Sequence, residues 1–113
     1  MGAYNGDSYS YNAYDDKFVI VKNGRFLVNL KDTYSNDFFV LPNFDHKVMM
    51  VGKNIVIIGL WADDDRKYKN VYCYDVDKEE LYKVAEDCMD AKVNGQELGV
   101  KTSKGWEWYN LDD

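Results

Sequence analysis

The sequence predicts an α+β domain. The expected architecture is a mostly antiparallel sheet of about seven to eight strands, built from two hairpin units plus a C-terminal strand, with one amphipathic helix near residues 78–90. Three observations predict it. Short apolar runs of β-branched and aromatic residues recur between turn signals, an Asn-Gly pair separates two of those runs, and after residue 77 the apolar spacing changes from strand-like to helical. An all-β alternative reads residues 79–84 as one more strand.

Residues 1–16, MGAYNGDSYSYNAYDD, hold no aliphatic side chain larger than alanine apart from Met1. Such a segment buries too little apolar surface to offset the entropy of ordering it, so a flexible Tyr/Asn/Gly/Ser-rich arm is expected there. Residues 17–113 are then expected to form a single globular domain, well within the usual size range.

Phe18 to Val21 and Phe26 to Leu30 flank Asn23-Gly24, whose type I′ turn requires positive φ at both central residues. Both faces of this hairpin are apolar, which predicts cover on both sides. Phe38 to Leu41 reads as a third strand stopped by Pro42, the only proline. Lys47 to Val51 and Ile55 to Ile58 flank Gly52-Lys53-Asn54 as a second hairpin. A charged loop is expected from Ala62 to Asn70, and Val71 to Tyr74 is the next strand. Hairpin, loop and single strand thus occur twice in outline, a pattern compatible with weak internal duplication.

The helix expectation rests on Leu81, Val84, Ala85, Cys88 and Met89, which form one stripe at helical spacing. Asp77 and Glu80 sit as a capping-box-like pair before it. The chain closes with a strand at Leu98 to Lys101, a turn at Ser103 to Gly105, and a last strand in which Trp106, Trp108 and Asn110 share one side.

Fourteen Lys and Arg against 20 Asp and Glu give a net charge of −6. Direct nucleic-acid binding draws on cations that displace counterions from phosphate, and adhesion to anionic membranes does likewise, so both are disfavoured. The charge is uneven: residues 63–90 hold ten acids and five bases, whereas residues 1–62 hold six of each. The partner expected for such a segment is a basic protein surface. No basic-then-apolar leader opens the chain, and the longest apolar run, Ile55 to Ala62, is far shorter than a membrane span. Cys73 and Cys88 lack metal-ligand or CxxC spacing and read as reduced core residues, which places the protein in the cytoplasm.

No reaction is legible. His46 beside Asp45 has no accompanying nucleophile turn, and phosphate-cradling glycine motifs are absent from the sequence. Asp75, Asp77, Glu79 and Glu86 imitate the ligand spacing of a calcium-binding loop, but Glu80 stands where that loop needs glycine. No catalytic residue, metal or cofactor is therefore expected. Ten tyrosines and three tryptophans exceed what so small a core requires, and such side chains anchor interfaces. The expected partner-binding residues are Asp63, Asp64, Asp65, Glu79, Glu86 and Asp87 with Trp61, Tyr68, Trp106 and Trp108. The function expected is that of a non-enzymatic interaction module of the inhibitor, immunity-protein or phage anti-defence type, with mimicry of nucleic acid as one form. The alternative is a module binding a carbohydrate or nucleotide on the aromatic strand face.

Overall fold

A computed structural model of the chain describes residues 2–14, 17–33, 44–63 and 66–111, with the side chains of 44–46, 60–63 and 66–68 outside that description. The described residues are nearly all strand. Two compact units divide the chain, Met1–Pro42 and Asn43–Asp113.

The first unit is a four-stranded antiparallel meander of β1 (Gly2–Tyr4), β2 (Asp7–Tyr14), β3 (Lys17–Lys22) and β4 (Arg25–Asn29), followed by a 3-10 turn at Leu30–Asp32. Asn23 and Gly24 both take positive φ, 51° and 78°, as a type I′ turn demands. Asn5 and Gly6 do the same at 52° and 84°. The segment expected as an arm is therefore a hairpin whose Asn-Gly signal matches that of its neighbour. Tyrosine is a good strand former, and aliphatic β3 supplies a ladder: Tyr9 opposes Lys22, and Tyr11 opposes Ile20. The Asn23 side chain joins the hairpins by accepting from the Ser8 N–H at 2.8 Å and donating to Asp7 at 2.8 Å. A register shift between Ile20 and Val21 sets Val28 opposite Ile20. The strand expected at Phe38 to Leu41 lies outside the described residues.

The second unit contains two meanders. One comprises β5 (Phe44–Val51), β6 (Asn54–Asp63), β7 (Arg66–Asp75) and β8 (Glu80–Cys88); the other comprises β9 (Asp90–Asn94), β10 (Glu97–Thr102) and β11 (Gly105–Asn110). Val56, Ile58, Val71, Cys73 and Cys88 of the first pack with Ala91, Leu98, Val100 and Leu111 of the second, forming a sandwich core. The opposite face of the larger sheet carries Ile55, Ile57, Tyr72 and Tyr74, all buried. Where a charged loop was expected at 62–70, β6 and β7 run on as a hairpin to the pair Asp63 and Arg66. Both cysteines are free and buried.

The helix expected near 78–90 does not form, and the all-β alternative fits. That segment is β8, paired antiparallel to β7 with register shifts around Val71. Lys83 opposes Tyr72 while Ala85 opposes Val71, so Val84 is an extra residue in β8. A second extra residue falls between Ala85 and Cys88, which opposes Lys69. Each insertion changes the parity of the strand, and together they bring Val84, Ala85 and Cys88 to the core side. Two bulges thus imitate a helical stripe. Met89, assigned to that stripe, is instead 53% exposed. The capping role assigned to Asp77 is replaced by an Asx turn, in which Asp75 accepts from the Asp77 and Lys78 N–H groups at 3.0 and 3.1 Å.

Among the described residues, no helix is long and apolar enough to cross a membrane.

Candidate functional site

Among the described residues β8 is an edge strand of its sheet, bonded only to β7. The turn leading into it exposes Asp77 and Glu79, and the strand exposes Glu80, Glu86 and Asp87. Tyr82, 42% exposed, stands among them. The strand's own cation, Lys83, turns inward: its ammonium lies 5.8 Å from the Tyr72 ring centroid and 3.3 Å from Glu86. Among the described residues none lies at ion-pair distance from Glu79, Glu80 or Asp87. The result is an anionic edge with little internal compensation.

Backbone conformation sharpens the picture. Glu79 and Asp87 adopt φ of 53° and 52°, the left-handed region that disfavours residues with a Cβ. Among the described residues the other two non-glycine residues with positive φ are Asn5 and Asn23, and asparagine, like aspartate, tolerates it. Asp87, like the asparagines, is of a type that tolerates this region, so the strained position is Glu79, where glycine would be free of strain.

At the start of β8 the two sheets leave a cleft of about 170 Å³, lined by Lys53, Asn54, Asp75, Glu80, Tyr82 and Leu111 among others. Asn54 and Asp75 are buried, and they stand opposite one another in register, with Glu80 next to Asp75. Asn54 reaches across the sandwich to donate to the Leu111 carbonyl at 2.8 Å, while its Oδ1 has no donor. A buried acceptor left unmet costs about 1–3 kcal/mol. Lys53 lies 3.7 Å from Asp75. Burial pushes the Tyr82 hydroxyl up to about 12, helped by its neighbours Cys73 and Asp75. Burial likewise pushes the Cys73 thiol up to about 11, partly offset by its hydrogen bond with Tyr82. A thiol so placed stays protonated at neutral pH and serves packing.

On the other sheet, Trp106 and Trp108 stack with ring centroids 5.7 Å apart and an interplanar angle of 22°. Lys92 lies over both, 4.6 Å from the Trp106 centroid and 5.6 Å from that of Trp108. Gly99 makes room for this, since a Cβ there would meet the Trp108 ring at 2.7–3.0 Å.

Of the residues expected to bind a partner, the structure brings Glu79, Glu86 and Asp87 onto one edge, Glu79 at one end of β8 and the others near its far end. It joins Trp106 to Trp108 but leaves them on a different sheet from those acids. Register pairs Trp61 with Tyr68 and Asp63 with Arg66 in the β6–β7 hairpin, while Asp64 and Asp65 lie outside the described residues. The calcium-like spacing places Asp75 and Asp77 at the turn and Glu86 far along β8; among the described residues no three His, Cys, Asp or Glu side chains form a metal-binding group. Sequence reasoning missed Asn54, Asp75, Glu80 and Tyr82 as a group. Asn54 read as a turn residue, and only the pairing of β6, β7 and β8 gathers the others around it. Comparison with family models, curated proteins and solved structures finds no match for this chain.

Proposed function

We propose that the protein is a non-catalytic binding module of the cytoplasm that docks the acidic β8 edge against a basic surface of a partner protein. An inhibitor, immunity protein or anti-defence factor would use such an edge to occupy the cationic channel of a nucleic-acid-handling enzyme, with no nucleic acid bound directly and no membrane involved. The observation that carries this reading is the strain at Glu79, at the head of a strand that exposes Glu80, Glu86 and Asp87. Strained backbone persists where something other than fold stability retains it, and here it positions the exposed Glu79 carboxylate. Charge of one sign along an edge also speeds encounter with an oppositely charged surface, and it keeps the open strand from pairing with copies of itself.

The reading in which a carbohydrate or nucleotide stacks on Trp106 and Trp108 draws less support, because Lys92 already lies over both indoles.

The test is capture from the native host with the full chain as bait, beside the triple variant Glu79→Gln, Glu86→Gln, Asp87→Asn. The wild type is expected to retain a basic protein at low salt, to lose it as ionic strength rises to about 0.5 M, and the triple variant is expected not to retain it. Equal retention by both baits, or retention indifferent to salt, overturns the proposal.

A further inference from the structure

We infer that Asn5 and Asn94 are sites of spontaneous deamidation, and that Asn23, in the same dipeptide, is shielded by the hydrogen bonds that join the two hairpins of the first unit. The inference stands apart from the docking of β8.

Three Asn-Gly pairs occur in the chain, Asn5-Gly6, Asn23-Gly24 and Asn94-Gly95, and each lies at the turn of a hairpin. Asparagine before glycine is chemically labile, because glycine has no side chain to keep its nitrogen away from the asparagine amide. The glycine nitrogen attacks Cγ and gives up its proton, the bond from Cγ to Nδ2 breaks, and ammonia leaves. Water then opens the cyclic imide at either carbonyl, giving aspartate or isoaspartate. The balance is amide plus water to carboxylate plus ammonium, so water is the only co-reactant.

Access of water does not separate the three pairs. All three asparagines are exposed, and no atom lies within 4 Å of where a Cβ would stand on Gly6, Gly24 or Gly95. Side-chain bonding does separate them. The Asn23 Oδ1 accepts from the Ser8 N–H at 2.8 Å, its Nδ2 donates to Asp7 at 2.8 Å, and its own N–H donates to the Ser8 carbonyl at 2.8 Å. To approach the Gly24 nitrogen, the Asn23 amide must leave both Ser8 and Asp7. Among the described residues neither the Asn5 nor the Asn94 side chain holds a hydrogen bond. Asn5 also isolates the cause. Its φ of 52° matches the 51° of Asn23, and a glycine at positive φ follows each. The two share a turn conformation and differ in what the side chain holds.

The consequences differ as well. At Asn94 a new carboxylate stands opposite Glu97 across the β9–β10 ladder, where like charges are destabilising. At Asn23 it would face Asp7, to which the amide now donates, and the joint between the hairpins would break. The shielded position is therefore the one where the change would do most to the first unit.

The experiment is incubation of the native full chain at mildly alkaline pH, with each Asn-Gly peptide followed by mass spectrometry for the gain of an amide-to-acid change. Asn5 and Asn94 are expected to convert steadily, and Asn23 about tenfold more slowly, because its rate follows the fraction of time its bonds are open. In urea the three rates are expected to converge. Asp7→Ala is expected to speed conversion at Asn23 several-fold while Asn94 in the same sample keeps its rate, which separates release of the side chain from general unfolding. Asn23 converting as fast as Asn94 in the native chain overturns the inference, as does a difference that persists in urea. Asn5 staying as slow as Asn23, or an Asn23 rate unmoved by Asp7→Ala, overturns the hydrogen bonds as the shield.

Discussion

Each sheet of the second unit has an edge strand with conspicuous exposed side chains, β8 in the larger and β11 in the smaller, and the two treat those side chains in opposite ways. On β11 the conspicuous groups are Trp106 and Trp108, and both are already engaged: they stack on each other, Lys92 covers them, and Gly99 lets Trp108 lie down on the sheet. On β8 the exposed groups are carboxylates and Tyr82, and of the carboxylates only Glu86 finds a cation on its own strand. Exposure alone therefore does not mark an adhesive surface. An aromatic that has satisfied its contacts internally has less to gain from a partner than a carboxylate whose counter-charge is missing.

The largest expected effect comes from breaking the β11 arrangement. Gly99→Ala puts a methyl group where the Trp108 ring lies, at 2.7–3.0 Å. The indole must lift, and the stack on Trp106 and the contact with Lys92 go with it. A loss of about 1–3 kcal/mol in urea unfolding is expected, together with a change in tryptophan fluorescence, while partner capture is unaltered. If capture fell with the stack, the contrast between the two edges would collapse, and the aromatic face would be the docking surface after all.

A second effect separates the edges by pH. Cys73 titrates near 11 in the folded chain because burial raises it, and Tyr82 near 12 for the same first reason. Both values lie above the ordinary ones of 9.0 and 10.0, so the folded state holds these protons more tightly than the unfolded state does. Their contribution to stability is thus complete below about pH 9, and it is lost as pH rises through 11. Tyr82 bonds to Cys73 from β8, so this loss loosens the acidic edge, whereas on the aromatic edge the tyrosine raised in the same direction is Tyr109, whose bond to Glu107 is exposed and fastens β11 to no other strand. Hydrogen exchange measured between pH 8 and 11 is expected to show opening of β8 amides before those of β10, beyond the intrinsic base-catalysed rise. Simultaneous opening of both strands would show that the Cys73–Tyr82 contact is not what fastens the edge.

How far the sequence announced these features depended on whether each signal was local. The Asn23-Gly24 turn is local and is found where the sequence marks it. Asn5-Gly6 is the same signal, hidden in a segment whose lack of aliphatic residues reads as disorder, although tyrosine is itself a good strand former. β8 misled for a different reason. A bulge is a relation between two strands, and nothing within residues 80–88 distinguishes a twice-bulged strand from an amphipathic helix; the distinction lies in Val71 opposing Ala85 while Tyr72 opposes Lys83. The acidic edge was legible in part, since Glu79, Glu86 and Asp87 stand out by charge alone. The cleft was not legible, because Asn54, Asp75 and Glu80 meet only through the register of three strands, and the Leu111 carbonyl arrives from the other sheet.

The smallest expected change is also the most informative about the edge. Glu79 holds φ of 53° at the last position of the β7–β8 turn, a conformation that glycine adopts freely. Glu79→Gly relieves the Cβ clash, worth roughly 1–2 kcal/mol, and gives back part of that through the entropy of the unfolded chain. A net gain of about 0.5 kcal/mol is expected in urea unfolding. The same substitution removes one carboxylate from the rim of the cleft, so capture of a basic partner should weaken by a few-fold in half-life. Glu79→Asn separates the two contributions, because asparagine tolerates the left-handed region and lacks the charge. If both variants gain stability and both lose binding, the glutamate is retained for its charge at the expense of fold stability, as proposed. If either gains stability with binding intact, the strained carboxylate has no part in docking, and the remaining acids of β8 then need a different account.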